Sequence, residues 1–192
     1  MTILYSISSS CGPESPDVVG FYDEASGSCQ YICIDPKTKK CALIDVVLDF
    51  NPARARTSTE CADWALDWIE REGLTLEWIL DTHPHADHLM AAAYLKEKTG
   101  APNAIGEKVR EIAELWRDFY NTPDTFDPEA DFDRLFADGD TFRVGEVDVL
   151  PLRRKAKSAA FSTRTGTLTR SLVPFGSATV TDRLYVPGLS YV

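Results

Sequence analysis

The stretch Thr82-His83-Pro84-His85-Ala86-Asp87-His88 contains every histidine of a 192-residue chain. Residues 74–80, Leu-Thr-Leu-Glu-Trp-Ile-Leu, read as a strand that runs into it. Residues 90–98 have high helix propensity and stop at Thr99-Gly100. The imidazoles are therefore expected on a loop clamped between a strand and a helix, a rigid mount for ligands. In an extended loop, side chains two apart point the same way. His83 and His85 can then grip one cation from one side, through neutral ring nitrogens at about 2.0–2.1 Å. Asp87 and His88 follow as the chain turns into the helix. They can hold a second cation beside the first, or orient the imidazoles and take protons, which makes Asp87 the catalytic candidate. No packing argument needs three His and an Asp within six residues, whereas metal coordination does.

Outward from this loop the pattern is that of a layered α/β domain. Val18 to Tyr22 and Gln30 to Ile34 are β-prone runs. Cys41 to Val47 reads as one strand buried on both faces and paired with the run before it. Thr57-Ser58-Thr59-Glu60 has the form of a capping box, so a helix is expected to start there and to end at Gly73 in a left-handed conformation. Its stripe is Ala62, Ala65, Leu66 and Ile69, and Trp64 and Trp68 read as packing residues. A strand at 101–106 and a helix at 107–120 follow, the latter with Val109, Ile112, Ala113, Trp116 and Tyr120 on one face. Asn121 to Asp131 reads as a loop, Asp138-Gly139-Asp140 as a turn, and Thr141 to Leu150 as an alternating strand. Strand, helix, strand, helix, turn, strand is the order of an α/β fold.

Composition narrows the function classes. With 44% hydrophobic residues the chain can bury one substantial core, and it has no apolar run of about 18 residues that would span a bilayer. The start lacks the basic and apolar regions of a signal peptide, so a cytoplasmic location is expected. Cys11, Cys29, Cys33, Cys41 and Cys61 are odd in number and lack C-x-x-C spacing, so neither a disulfide framework nor a zinc ribbon is expected. Cys61, at a helix start but beside Glu60 and Asp63, reads as a packing residue rather than a reactive thiolate. A formal charge of −10 argues against nucleic acid and anionic membrane as partners, which leaves a small molecule. A homo-oligomer is compatible with this reading.

His83-Pro84-His85-Ala86-Asp87-His88 matches the H-x-H-x-D-H signature of the metallo-β-lactamase superfamily. The flanking Ile79-Leu80-Asp81-Thr82 and Leu89-Met90-Ala91-Ala92-Ala93 resemble the persulfide dioxygenase (sulfur dioxygenase) and glyoxalase II-like branch. The resemblance runs from about Val18 to Leu152 and includes the Asp138-Gly139-Asp140 turn. It implies a four-layered αββα sandwich, here incomplete at the C-terminus, with a metal site at one edge of its two sheets. In two-metal members of the family, the residues matching His83 and His85 hold the first metal and those matching Asp87 and His88 the second. In persulfide dioxygenases a single Fe²⁺ is held by the residue matching His83 with a downstream His and Asp, and His85, Asp87 and His88 then support it. Facial triads of two His and one carboxylate leave positions open for oxygen and a thiol-derived substrate. The function implied is oxidation of glutathione persulfide or a similar persulfide to sulfite. The alternative is hydrolysis of a thioester or related bond with one or two Zn²⁺.

The match breaks after Leu152. Residues 1–149 hold 29 acids and 13 bases, whereas residues 150–192 hold seven bases and one acid, Asp182. Arg153-Arg154-Lys155 stands where the family carries a G-H-T-P-type segment with a ligand His. Asp182 resembles only weakly the family's strand-end aspartate. Leu184-Tyr185-Val186 reads as a strand. The chain is thus parsed as an N-terminal extension (1–17), a metallo-β-lactamase-like portion (18–152) and a divergent basic tail (153–192). A frameshifted or otherwise broken tail would lose its periodicity, and a naturally divergent one would retain patterned strands; the loss of periodicity favours the former. A metal-binding remnant without turnover is therefore a third reading beside the two enzymes. We expect another reading frame downstream of the Leu152 codon to encode a Gly-His-Thr-Pro-type segment. Sequencing of the source DNA that finds it in neither alternative frame favours divergence instead.

Overall fold

The computed structural model describes residues 3–12, 14–85 and 89–151. Asp87, His88, Asp182, the strand expected at 184–186 and the basic tail lie outside the described residues. In chain order the described elements begin with β1 (Leu4–Ser8), β2 (Asp17–Asp23), β3 (Ser28–Ile34), β4 (Lys40–Ile44), β5 (Val47–Asn51), β6 (Arg56–Ser58) and α1 (Glu60–Arg71). They continue with β7 (Thr75–Leu80), β8 (Leu89–Met90), α2 (Ala92–Thr99), β9 (Asn103–Gly106), α3 (Val109–Tyr120) and α4 (Pro128–Asp131). The last three are β10 (Arg134–Phe136), β11 (Phe142–Val144) and β12 (Val147–Val149).

A seven-stranded sheet in the order β1-β2-β3-β4-β7-β9-β10 forms the body. Its first four strands are an antiparallel meander, while β4, β7, β9 and β10 run parallel. Parallel neighbours need crossovers, and α1, α2 and α3 supply them. The strands of the sheet alternate their side chains between two cores. Val19, Phe21, Ile32, Leu43 and Ile79 face α1 and α2, where they pack on Cys61, Ala62, Ala65, Trp68 and Leu95. Val18, Cys33, Ala42 and Ile44 face the opposite way, onto Val109 of α3 and Phe142 and Val144 of the β11–β12 hairpin. Trp64 and Trp68 are the packing residues expected, with Tyr5 and Phe21 against their rings. Helix, sheet and second-sheet hairpin are the layers of the α/β sandwich read from the sequence.

Several local expectations needed correction. Residues 4–8, read as part of an extension, add β1 to the sheet edge. The run Cys41 to Val47 is two strands, because Asp45 takes φ 54° and swings the chain out of the large sheet into β5. The capping box does not form. Thr57 pairs with Phe50 in the β5–β6 ladder, and α1 starts after Thr59, whose hydroxyl goes to the Asp63 carboxylate 2.7 Å away. The other end of α1 is as expected: Gly73 (φ 65°) and Leu74 donate to Glu70 and Ile69 carbonyls at 3.1 and 2.9 Å, a Schellman closure. Met90 belongs to β8 rather than to α2. The loop 121–131 contains α4, capped by the Asp127 side chain. Tyr120 is exposed rather than on the packed face of α3. All five cysteines lack disulfides, as expected; Cys33, Cys41 and Cys61 are buried, and burial pushes the Cys61 thiol up to about 11.

Thr141 to Leu150 is a hairpin, not one strand. Gly145 (φ 62°) opens its turn, and that turn is pressed onto the β3–β4 turn. Gly145 N–H donates to the Glu77 carboxylate at 2.7 Å, and Glu146 N–H to that of Asp35 at 2.8 Å. A Cβ on Gly145 would collide with Thr38 Oγ1 and the Asp35 carboxylate. Gly145→Ala should therefore destabilise the chain by about 2–3 kcal/mol, combining left-handed strain with displacement of the contact. Urea denaturation reads this directly, and a loss under about 0.5 kcal/mol would show that the two turns do not depend on each other.

Candidate metal centre

The centre of the parallel sheet ends at Leu80, between β4 and β9, and the chain beyond it carries the histidines. Ligand sites in α/β sheets lie at the carboxyl ends of parallel strands. Here the exit is fixed from both sides. Asp81 N–H donates to the Ala104 carbonyl of β9 at 3.0 Å, and on the β4 side Asp45 N–H donates to the Leu80 carbonyl at 2.9 Å. Asp45 then turns its carboxylate onto the next residue. Oδ1 accepts from Thr82 N–H at 2.7 Å and Oδ2 from Thr82 Oγ1 at 2.6 Å, all in buried surroundings. Asp tolerates a left-handed backbone better than most residues, so its presence at φ 54° is a modest strain.

The far end of the loop is stitched to the same segment. Ala91 N–H donates to the Val46 carbonyl at 2.7 Å, and β8 pairs with β5 through Val47↔Met90 and Leu48↔Leu89. Residues 45–48 thus bracket the whole histidine loop. Within it the rings of His83 and His85 lie side by side with centroids 3.8 Å apart. His83 Nδ1 is 2.9 Å from Thr82 Oγ1, and His85 Nε2 is 3.6 Å from Asp45 Oδ1. His85 is largely enclosed, its side chain 8% exposed. Burial, then the Asp45 charge, pushes the Asp81 carboxyl well above the ordinary carboxylate range.

The paired imidazoles open onto a cleft of about 340 Å³. Met90, Ile112, Trp116, Phe126 and Phe132 supply much of its apolar wall, while Asp81, His83, His85, Asn103 and Asp131 supply its polar and charged lining. An apolar cleft with a few convergent polar groups is the form of a small-molecule site. Of the residues expected to act, the structure brings His83 and His85 together. Asp87 and His88 are outside the described residues, and among the described residues no group of three or more His, Cys, Asp or Glu is arranged to hold a metal ion. The donor set fits a divalent transition-metal ion: two imidazoles on one side, with a carboxylate behind them. Asp45 is the participant that the sequence reading passed over.

Comparison with known proteins identifies the family. The family described as the Metallo-beta-lactamase superfamily matches residues 24–159. A "Beta-lactamase hydrolase-like protein" of Xylella fastidiosa (strain Temecula1) is 52% identical over 134 residues, 70% of this chain and 31% of that protein. "Glyoxylase B2" of Dictyostelium discoideum is 41% identical over 131 residues, 67% of this chain and 45% of that one, in keeping with the glyoxalase II-like branch. The chain thus spans about a third to a half of the length of these relatives. A crystal structure of a metallo-beta-lactamase from Staphylococcus aureus superposes with a TM-score of 0.53 at 18% identity, covering 72% of this chain and 34% of that one; it shows the fold.

The geometry gives Asp45 a measurable weight. Asp45→Ala leaves the buried Thr82 N–H and hydroxyl without their acceptor and places alanine at a positive φ. We expect a loss of at least about 2 kcal/mol in urea denaturation of the metal-free chain. Asp45→Asn, which keeps one acceptor oxygen and the tolerance for this backbone, should cost less. Equal stability of all three proteins would remove the carboxylate from this structural role.

Proposed function

The chain belongs to the metallo-β-lactamase superfamily, and from that premise we propose that it is the ligand-bearing part of a metal-dependent enzyme that oxidises a small persulfide, of the glutathione persulfide type, to sulfite. Membership of this superfamily implies divalent metal binding. The observation that carries the reading is the strand-end pair His83 and His85 opening onto an apolar cleft. His83 and His85 would hold the ion, with Asp87 and His88 the further candidates on the same loop. An Fe²⁺ held there would supply activation of oxygen and of the substrate thiolate.

The chain's own residues have separable tasks in this scheme. Thr82 and Asp45 orient the imidazoles, and Asp87 is the candidate for proton movement. The cleft walls of Ile112, Trp116, Phe126 and Phe132 exclude water and take up the organic part of the substrate. Two imidazoles suit zinc as well as iron, and two relatives carry hydrolase-like or glyoxylase names. Zinc-dependent hydrolysis of a thioester is therefore the second reading, in which a zinc held by the same imidazoles would supply Lewis-acid activation of water and carbonyl.

Oxygen uptake separates these readings. Chain reconstituted with Fe²⁺ should consume oxygen when given glutathione persulfide, and His83→Ala should abolish the uptake. Metal analysis of purified protein should find one iron per chain. Uptake no greater than that of His83→Ala sinks the oxidative reading. Two zincs with thioester turnover would establish the hydrolytic one, and no metal with neither activity would leave a remnant.

A further inference from the structure

We propose that Thr82 is a positioning residue that fixes the tautomer of His83, holding the proton on Nδ1 so that Nε2 presents its lone pair. The inference rests on His83 being a metal ligand, and it adds the atom through which that ligand acts.

An ionised carboxylate only accepts, and Asp45 takes two donors from one residue, Thr82 N–H at 2.7 Å and Thr82 Oγ1 at 2.6 Å. The hydroxyl has a single proton, and it is committed to Asp45. Towards His83 Nδ1, 2.9 Å away, the same oxygen can therefore act only as acceptor. That contact requires Nδ1 to carry hydrogen, which leaves Nε2 unprotonated in the neutral ring. Three features keep the relay from reversing. Thr82 is 7% exposed, so water competes little for its hydroxyl. Its β-branched side chain is stiff about χ1. The backbone N–H of the same residue occupies Oδ1, which locks the carboxylate in register. A neutral imidazole free in water favours the proton on Nε2, so the relay inverts the intrinsic preference. The metal-binding nitrogen is thereby ready before any ion arrives.

The test uses the full chain, labelled with ¹⁵N-histidine and freed of metal by chelator, at about pH 8.5, where imidazoles are neutral. With three histidines in the sequence, long-range ¹H–¹⁵N spectra are assignable by loss of signals in His83→Gln and His85→Gln. Wild type and Thr82→Ser should show His83 mainly as the Nδ1–H form, and Thr82→Val mainly as the Nε2–H form. Asp45→Asn supplies a second, independent reversal. Its amide oxygen keeps the Thr82 N–H, its NH₂ then donates to the hydroxyl, and the hydroxyl must donate to Nδ1. Titration with Zn²⁺ alone should show an affinity loss of about tenfold or more in Thr82→Val, recovered in Thr82→Ser. A wild-type His83 in the Nε2–H form overturns the proposal, as does an unchanged tautomer in both Thr82→Val and Asp45→Asn. A shifted tautomer with unchanged Zn²⁺ affinity overturns its role in metal binding. The tautomer measurement involves neither iron nor persulfide, so failure of the proposed reaction leaves it standing and its own failure is read separately.

Discussion

The carboxylate of Asp45 and the backbone and hydroxyl of Thr82 form the contact on which the rest of the site depends. It joins positions 37 residues apart in sequence, at the ends of two neighbouring parallel strands. To make it, the chain must leave β4 through a left-handed residue, and that exit aims β5 away from the large sheet and towards β8. One polar contact thereby sets the direction of a strand, the start of the histidine loop and, through β5, the loop's other end. A loop held at only one end would let His83 and His85 drift apart. Held at both, it keeps the two imidazole rings side by side.

This arrangement places negative charge where desolvation is costly. Asp45 and Asp81 are both buried, and each is near the other's charge. Asp45 offsets part of the cost with hydrogen bonds from Thr82, while Asp81 is pushed towards its neutral form. Acceptor-rich, partly enclosed ground beside two imidazoles disfavours anions and favours a cation. The strain and the buried charge are tolerable because the two cores on either face of the sheet are built from residues such as Ile32, Leu43, Val18 and Ile105 that water barely reaches. The apolar packing stabilises the sheet, and the sheet edge can then hold a loop that would not order itself.

Much of this was legible because periodicity reports burial. The β-prone runs of β2 and β3, the stripe on α1 and the glycine at residue 73 each obey a local rule, and the histidine cluster marks its own strand end. Local rules failed where a distant partner decided the outcome. The run Cys41 to Val47 has no sequence break, and it bends at Asp45 because Thr82 takes up the carboxylate. Thr57 satisfies the form of a capping box, but Phe50 claims it for a ladder. Thr141 to Leu150 alternates like a single strand, yet it turns at Gly145, where Asp35 of the β3–β4 turn and Glu77 of β7 offer acceptors. The one usable signal for Asp45 was an acid within an otherwise apolar strand, a residue type that is rarely buried without a partner.

The placement of donors in the sequence constrains how a metal shell can be completed. His83 and His85 approach from one loop and so cover one side of an ion, and tetrahedral or octahedral coordination requires donors from another direction. His88 is the one further imidazole that the 192 residues contain, and it lies only three positions beyond His85. Buried thiols do not substitute readily, since Cys33 and Cys41 are pushed up to about 12 and sit inside the packed layers. Completion from within this sequence therefore falls to carboxylates or to Asp87 and His88 on the same loop. A second imidazole from a separate strand, as in a facial triad, would have to come from residues other than these 192. In the function proposed, the strand-end pair is a prearranged half of a coordination sphere, and its chemistry is decided by what supplies the opposing half.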